Sequence, residues 1–203
     1  MRWVTGEHYF TAVPGAPERR REIGFSIDGR EYRLAAAAGV FSGDRLDPGT
    51  AVLLRKVAQP APDEAGTLLD LGCGYGPIAV VLADRAPSAT VYAVDVNTRA
   101  LELVRENAAG RRVRAARPDE VPEEVTFSQI WSNPPIRVGK ADLHDLLGRW
   151  LPRLAPGGVA WLVVARHLGG DSLQRWLTDA GWSVARHASQ KGYRILRVGR
   201  ESG

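Results

Sequence analysis

Two short stretches of the chain carry residue types that could do chemistry. The first, Leu69-Asp70-Leu71-Gly72-Cys73-Gly74-Tyr75-Gly76-Pro77, sets three glycines at alternate positions just after an acid. Glycine there lets the backbone turn sharply and approach a ligand. The second, Ser132-Asn133-Pro134-Pro135-Ile136, follows the largely apolar run from Phe127 to Trp131. Its prolines fix φ and bias Asn133 and Pro134 toward extended geometry. The Asn133 side-chain oxygen and the Pro134 carbonyl are then preset acceptors, able to take one N–H each from an NH2 group. That would turn the nitrogen toward an electrophile and stabilise the positive charge developing on it during an in-line displacement. Asn133, Pro134, Pro135 and Ile136 are therefore the candidate catalytic residues; the bland alternative is a proline-rich loop ending a strand.

The glycine loop is not built for a dinucleotide. That fingerprint places its third glycine one position later than Gly76, where this chain has Pro77, and holds a pyrophosphate on free helix N–H groups. Pro77 has no N–H, although its φ suits the first helical position. Asp70 would oppose a phosphate and suits a cation. S-adenosylmethionine, with an ammonium, a sulfonium and no phosphate, is the expected ligand. Asp95, about twenty residues beyond the glycines, can accept from both ribose hydroxyls, a feature shared with NAD proteins. The candidate cofactor residues are Asp70, Gly72, Cys73, Gly74, Gly76, Asp95, Val96 and Asn133. The plain alternative for the two acids is local capping of a turn or helix. Arg137 and Lys140 follow the double proline directly and are candidates for a substrate phosphate. Arg19-Arg20-Arg21 with Arg30 and Arg33 either track phosphates or form a solvated charged face.

These stretches need elements to position them. Alternating residues flank Asp28-Gly29, a hairpin signal, and residues 1 to 50 read as a β-hairpin extension. A short helix spans Ala51 to Ala58, and the Pro/Ala run at 59 to 62 links it to the main body. From Thr67 short apolar strands alternate with helical segments, the pattern of a parallel sheet covered by helices. Strands are predicted at 67–71, 90–94, 113–116, 127–132 and 159–165. Helices are predicted at 77–85, 98–109 and 141–154, the last ended by Pro156-Gly157-Gly158. Asp171 is a candidate cap for a helix running to Ala180, and 183–188 with 193–198 form a hairpin about Lys191-Gly192. The fold class is thus α/β, a Rossmann-like sheet of seven strands with the last one antiparallel, helices on both faces and an N-terminal hairpin. Residues 1–58 form the hairpin and helix extension, and 59–203 the ligand-binding domain.

A chain of 203 residues suits one domain with a full core. With 27 Lys and Arg against 23 Asp and Glu, its mild positive charge permits a polyanionic partner without requiring one. The single cysteine, Cys73, excludes an internal disulfide, and no Cys/His cluster has zinc spacing, so no metal is expected. Residues 1 to 10 lack the apolar stretch of a signal peptide, and every apolar run is too short to span a bilayer. The expected location is the cytoplasm, away from membranes.

These residues resemble the small-domain class I methyltransferases related to bacterial 16S ribosomal RNA guanine-N2 methyltransferases. The resemblance covers nearly the whole chain: His8-Tyr9-Phe10, Gly39-Val40-Phe41-Ser42-Gly43 leading into Leu46-Asp47-Pro48-Gly49, the loop at 70 to 76, Asn133-Pro134-Pro135-Ile136-Arg137 and Lys191-Gly192-Tyr193. It implies that Asp70 and Gly72 to Gly76 hold the methionine part of S-adenosylmethionine and Asp95 the ribose. It further implies that Asn133 to Ile136 face the target amine and that Phe41 packs across the pocket near the substrate. Three departures stand out. Ile136 occupies a position where amino methyltransferases often have Tyr or Phe to stack a flipped base. The residue expected to read the adenine amino group falls near Arg117-Pro118-Asp119, with Asp119 the candidate. The characterised ribosomal enzymes tend to carry two copies of the domain, and this chain has one.

The leading functional expectation is methylation of an exocyclic amine, guanine N2 in 16S ribosomal RNA, with ribosomal RNA or the small subunit as partner. A protein glutamine amide is a second acceptor with the same NH2 group. A nucleic-acid or partner-binding module that keeps the cofactor pocket without turnover is a third reading, and an NAD-dependent dehydrogenase a distant fourth.

Overall fold

A computed structural model describes residues 20–40, 45–134 and 139–200. Phe41, Pro135, Ile136 and Arg137, together with His8 and Arg19, lie outside the described residues. Strands β1 (Arg20–Ile27) and β2 (Arg30–Ala37) pair antiparallel. Asp28 and Gly29 between them both have positive φ, 48° and 76°, the geometry that matches the twist of the flanking strands.

The main sheet contains β3 (Thr67–Leu71), β4 (Thr90–Val94), β5 (Val113–Ala116), β6 (Phe127–Ser132), β7 (Leu154–Ala165), β8 (Trp182–Gln190) and β9 (Tyr193–Arg200). Their spatial order is β5-β4-β3-β6-β7-β9-β8. Neighbours from β5 to β7 are parallel, and β9 runs antiparallel to both β7 and β8. The expected seven strands with a reversed last one are present. The order turns between β3 and β6, which opens a crevice at the carboxyl ends of these two strands.

Among the described residues, five helices cover the sheet: α1 (Pro48–Lys56), α2 (Pro77–Arg85), α3 (Thr98–Asn107), α4 (Lys140–Trp150) and α5 (Gly170–Asp179). Alternation along each strand divides the core in two. Leu68, Val91, Ala93, Trp131, Val163 and Ile195 pack with α1 to α3 and the hairpin, whereas Leu69, Leu71, Val94, Ile130, Leu162 and Leu196 pack with α4 and α5. Among the described residues, no helix is long and apolar enough to cross a membrane.

Several predicted boundaries move. The first helix spans 48–56 rather than 51–58, because Pro48 occupies its first turn and Asp47 caps it. The third helix ends at Asn107, two residues early. The fourth stops at Trp150 and passes through a 3-10 turn containing Pro152, which has no N–H to continue the ladder. β7 therefore begins at Leu154, and Pro156-Gly157-Gly158 lies inside it, at a register shift against β6. Asp171 does not cap α5. Gly169 holds that position, and the Asp171 carboxylate pairs with Arg186 and Arg194.

The arginines are more engaged than charge counting implies. Arg20 pairs with Glu106, Arg33 with Glu22 and Arg30 with Asp84, so the described part of the expected phosphate-tracking surface is a locally paired charged face. Arg111 is a two-point partner of Asp84, with Nε 2.8 Å from Oδ1 and a terminal nitrogen 3.3 Å from Oδ2.

Asn107 adds a polar dock to the apolar core that the hairpin shares with α2 and α3. Asn107, at the end of α3, accepts from the Ala35 N–H and donates to the Ala35 carbonyl, both at 2.8 Å, so that its amide substitutes for a neighbouring strand. It also donates to the Tyr75 carbonyl in the glycine loop at 2.8 Å. Replacing Asn107 by Ala removes these partly buried bonds. The expected cost is about 2 to 3 kcal/mol, at roughly 1 kcal/mol net per bond, read as a lower midpoint in urea unfolding with an unchanged slope.

Candidate active site

The glycine loop leaves β3 at its carboxyl end. The N–H groups of Gly72 and Cys73 both donate to the Val94 carbonyl, at 2.9 and 3.1 Å, tying the loop to the tip of β4. Gly72, Gly74 and Gly76 all have positive φ. Gly76 is the residue before α2, at φ 88°, and a Cβ there would lie 3.0 Å from Val104 Cγ2. Left-handed geometry and close packing together require glycine at this position. Pro77 occupies the first turn of α2, as expected.

Both acids are engaged by the backbone. Asp95 accepts from Gly74 N–H at 3.0 Å through Oδ2 and from Asn97 N–H at 2.9 Å through Oδ1. It is 4% exposed. Asp70 is fully buried beneath the loop; Oδ2 accepts from Ala79 N–H in the first turn of α2 at 2.9 Å. Its Oδ1 has no hydrogen-bond partner among the described residues. The local capping weighed at the sequence level is thus present for both, alongside whatever ligand role they have. Val96 is half-buried beside Asp95. Asp119 is exposed, pairs with Arg117, and does not line the cleft.

Opposite the loop, Ser132 ends β6 fully buried, and its hydroxyl donates to the Leu71 carbonyl at 2.7 Å. The tips of β6 and β3 are thereby clamped together. Asn133 follows, and its Nδ2 donates to Asp47 Oδ1 at 2.7 Å and to Thr50 Oγ1 at 3.0 Å. Pro134 is buried behind it. Lys140 is exposed in the first turn of α4. A small cleft open to solvent is lined by Asp47, Thr50, Gly72, Cys73, Gly74, Asn133 and neighbouring loop residues.

The structure therefore brings the glycine loop and Asn133 to one cleft, and it adds Asp47 and Thr50, to which sequence reasoning gave no role. The Asp47-Pro48 pair was readable as a helix cap. Its contact with a residue 86 positions away left no local signal. Asn97 was also missed: it caps α3 and donates to the Gly39 carbonyl, holding the segment that leads to Phe41 against the Asp95 corner. Among the described residues, no group of His, Cys, Asp and Glu could hold a metal ion.

Burial governs the electrostatics. Burial of Asp70, opposed by the Ala79 N–H bond and reinforced by nearby Asp95, pushes its pKa up to about 8. Burial, with Asp95 and Asp70 adding, pushes the Cys73 thiol well above its ordinary value. Cys73 is therefore a thiol in the cleft wall and a poor nucleophile.

The consequence for stability has a definite sign. Between the ordinary carboxylate value of 3.8 and about 8, the folded chain holds a proton on Asp70 that the unfolded chain has released. The stability it contributes is full at low pH and is lost as pH rises toward 8, with a slope of up to about 1.4 kcal/mol per pH unit. Asp70→Asn should flatten the fall in stability between pH 5 and 8 relative to the parent chain, measured by urea unfolding across that range; identical pH profiles would refute the assignment.

Comparison with known proteins places the chain in a family. The family model described as "Methyltransferase small domain" matches residues 31–197. Uncharacterized protein YbxB of Bacillus subtilis is 32% identical over 198 residues, which cover 95% of this chain and 98% of that one. Ribosomal RNA small subunit methyltransferase C of Alcanivorax borkumensis is 30% identical over 192 residues, which cover 91% of this chain and 58% of that protein. The Thermus thermophilus 16S rRNA N2 G1207 methyltransferase RsmC, solved in complex with AdoMet and guanosine, superposes with a TM-score of 0.76 at 27% identity. The match covers 93% of this chain and 52% of that one, so the chain spans about half the length of its ribosomal RNA methyltransferase relatives. With a matched model over most of its length and the loop, the strand-order reversal and the Asn-Pro turn in place, the chain belongs to the methyltransferase small-domain family.

Proposed function

We propose that this chain transfers a methyl group from S-adenosylmethionine to an exocyclic amino group, guanine N2 of 16S ribosomal RNA. Family membership and the AdoMet-bound Thermus neighbour support the donor, and the ribosomal RNA methyltransferase relatives support the acceptor. The observation that carries the reading is the Asn133 amide, whose two-point donation to Asp47 and Thr50 leaves its oxygen as the group offered to the cleft beside the glycine loop.

The residues present fit such a cofactor. The orphaned Oδ1 of buried Asp70 suits an ammonium, the glycine loop lets a ligand approach the backbone, and Pro77 offers no N–H to a phosphate. When bound, S-adenosylmethionine supplies an electrophilic methyl carbon on a sulfonium leaving group. Asp70 and the loop hold the methionine part, with Gly72, Cys73, Gly74 and Gly76 forming the wall, and Asp95 with Val96 holds the ribose. A cation against Asp70 favours its ionised form, so binding near neutral pH releases a proton. Asp119 has no observed contact with the cleft that supports an adenine role.

Asn133 Oδ1 and the Pro134 carbonyl each accept an N–H from the substrate amine and aim its lone pair at the methyl carbon. Both acceptors would stabilise the positive charge that appears on the substrate nitrogen as it is methylated. The proton lost afterwards is acidic only once that charge exists, so no strong base is required. By the family resemblance Pro135 and Ile136 belong to the catalytic set and Phe41 and Arg137 to the substrate-binding set, together with Lys140, which is exposed in the first turn of α4 and suits a substrate phosphate. Residues 1–58 serve as the extension that supplies Asp47 and Thr50 to the catalytic domain of residues 59–203. The setting is the cytoplasm, where ribosomal RNA is available.

Asn133→Ala should lower kcat by about 100-fold, roughly 3 kcal/mol, as for other lost polar groups that act in the transition state. Its affinity for S-adenosylhomocysteine should be nearly unchanged, whereas Asp95→Ala should weaken that affinity. Radiolabel transfer to deproteinised 16S ribosomal RNA and to small subunits reads the first effect, and calorimetry the second. Nucleoside mass mapping identifies the product as N2-methylguanosine; label entering only protein would overturn the RNA reading in favour of a glutamine amide.

A further inference from the structure

An asparagine amide can present either its oxygen or its NH2 to a ligand, and the proposed chemistry works only with the oxygen. Two groups on α1 decide the choice here. Asp47 Oδ1 accepts simultaneously from the Thr50 backbone N–H at 3.0 Å, as the cap of α1, and from Asn133 Nδ2 at 2.7 Å. Thr50, itself buried, accepts from the same Nδ2 through Oγ1 at 3.0 Å. Both amide hydrogens are thus spent on α1. Turning the amide over would set its oxygen about 2.7 Å from a carboxylate oxygen with no hydrogen between them, a repulsive contact.

Asp47 is in turn held in place. A Cβ on Gly49 would lie 2.9 Å from Cε1 of Tyr193 and 3.0 Å from Asp47 Oδ1. The first turn of α1 is therefore pressed onto the ring of Tyr193 at the start of β9, and only glycine permits that approach. The chain connects the helix cap, the Lys191-Gly192-Tyr193 turn and the acceptor asparagine in one packed unit.

We propose that Asp47, with Thr50, is a positioning residue for methyl transfer: it locks the Asn133 amide with Oδ1 toward the substrate amine. Its carboxylate also polarises the amide through a charge-assisted bond, which makes Oδ1 a better acceptor as the amine becomes cationic. This rests on the role given to Asn133 above.

The test uses Asp47→Asn, which keeps an acceptor for the Thr50 N–H but removes the charge and the fixed orientation, and Thr50→Val, which keeps the cap and removes only the hydroxyl. In 15N-labelled protein, the Asn133 side-chain NH2 signals, identified as the pair missing from Asn133→Ala, should be protected from solvent exchange relative to exposed amides. That protection should fall in Asp47→Asn and Thr50→Val and persist in Thr50→Ser. With 16S ribosomal RNA or small subunits as acceptor, kcat should drop roughly 10- to 100-fold in the first two variants while KM for S-adenosylmethionine moves by less than about 3-fold, the pattern of a lost transition-state interaction. Thr50→Ser should restore turnover. In an Asn133→Ala background, Asp47→Asn should cost little more, because the two act as a unit. Unprotected Asn133 hydrogens, parental kcat in both variants, or full additivity with Asn133→Ala would overturn the proposal. Turnover by Asn133→Ala at the parental rate would overturn the underlying role of Asn133 instead, while the exchange data still report whether α1 fixes the amide.

Discussion

Between β3 and β6 the strand order turns, and the two connections leave the sheet in opposite directions, so a crevice opens where no strand bonds can close it. Side chains close its floor. Ser132 reaches from β6 to the Leu71 carbonyl of β3, Asp95 reaches from β4 to Gly74 N–H in the loop, and Asn133 reaches across to α1. Each of these satisfies a main-chain or amide group that would otherwise be buried without water, at a cost of about 1 to 3 kcal/mol per unpaired group. The shape of the cleft follows from that requirement as much as from the sheet.

The same burial sets the chemistry of the loop. Asp70 and Asp95 sit close enough for each to raise the proton affinity of its surroundings, and the low polarity around Asp70 holds it largely protonated at neutral pH. An anionic cluster under a glycine loop would strain the empty fold; a neutral acid does not, and it remains available to a cation that arrives with its own charge. Cys73, between them, is kept as a thiol for the same reason. The loop is therefore a packed wall whose charge depends on what it holds.

The amino-terminal part is bound into this arrangement at three levels. Ile23, Phe25, Ile27, Tyr32 and Leu34 share a core with α2 and α3, Asn107 extends the backbone bonding of β2 into the glycine loop, and Asn97 with Arg99 holds the carbonyls of residues 38 and 39 beside the Asp95 corner. The chain then enters α1, whose cap meets Asn133. An element that looks peripheral in the order of the sequence thus borders both ends of the cleft.

Much of this was legible from sequence because its causes are local. Short apolar runs located all seven strands of the main sheet, Asp28-Gly29 and Lys191-Gly192 marked the turns of the first and last hairpins, where all four residues have positive φ, and Pro77 after Gly76 marked the start of α2. The Pro156-Gly157-Gly158 run misled, since it bends β7 against β6 where a helix stop was expected, and Asp171 was read as a cap although two arginines from the last hairpin claim it. Types and spacing alone determined that a glycine loop and an Asn-Pro turn would each stand at a strand tip. Only the tertiary structure decided that β9 would insert between β7 and β8, that Asp70 would lie buried with one oxygen unpaired, and that Asp47 would orient Asn133. Backbone turns and side-chain alternation act over a few residues, whereas a hydrogen bond between positions 86 apart exists only once the strand order has brought their elements together.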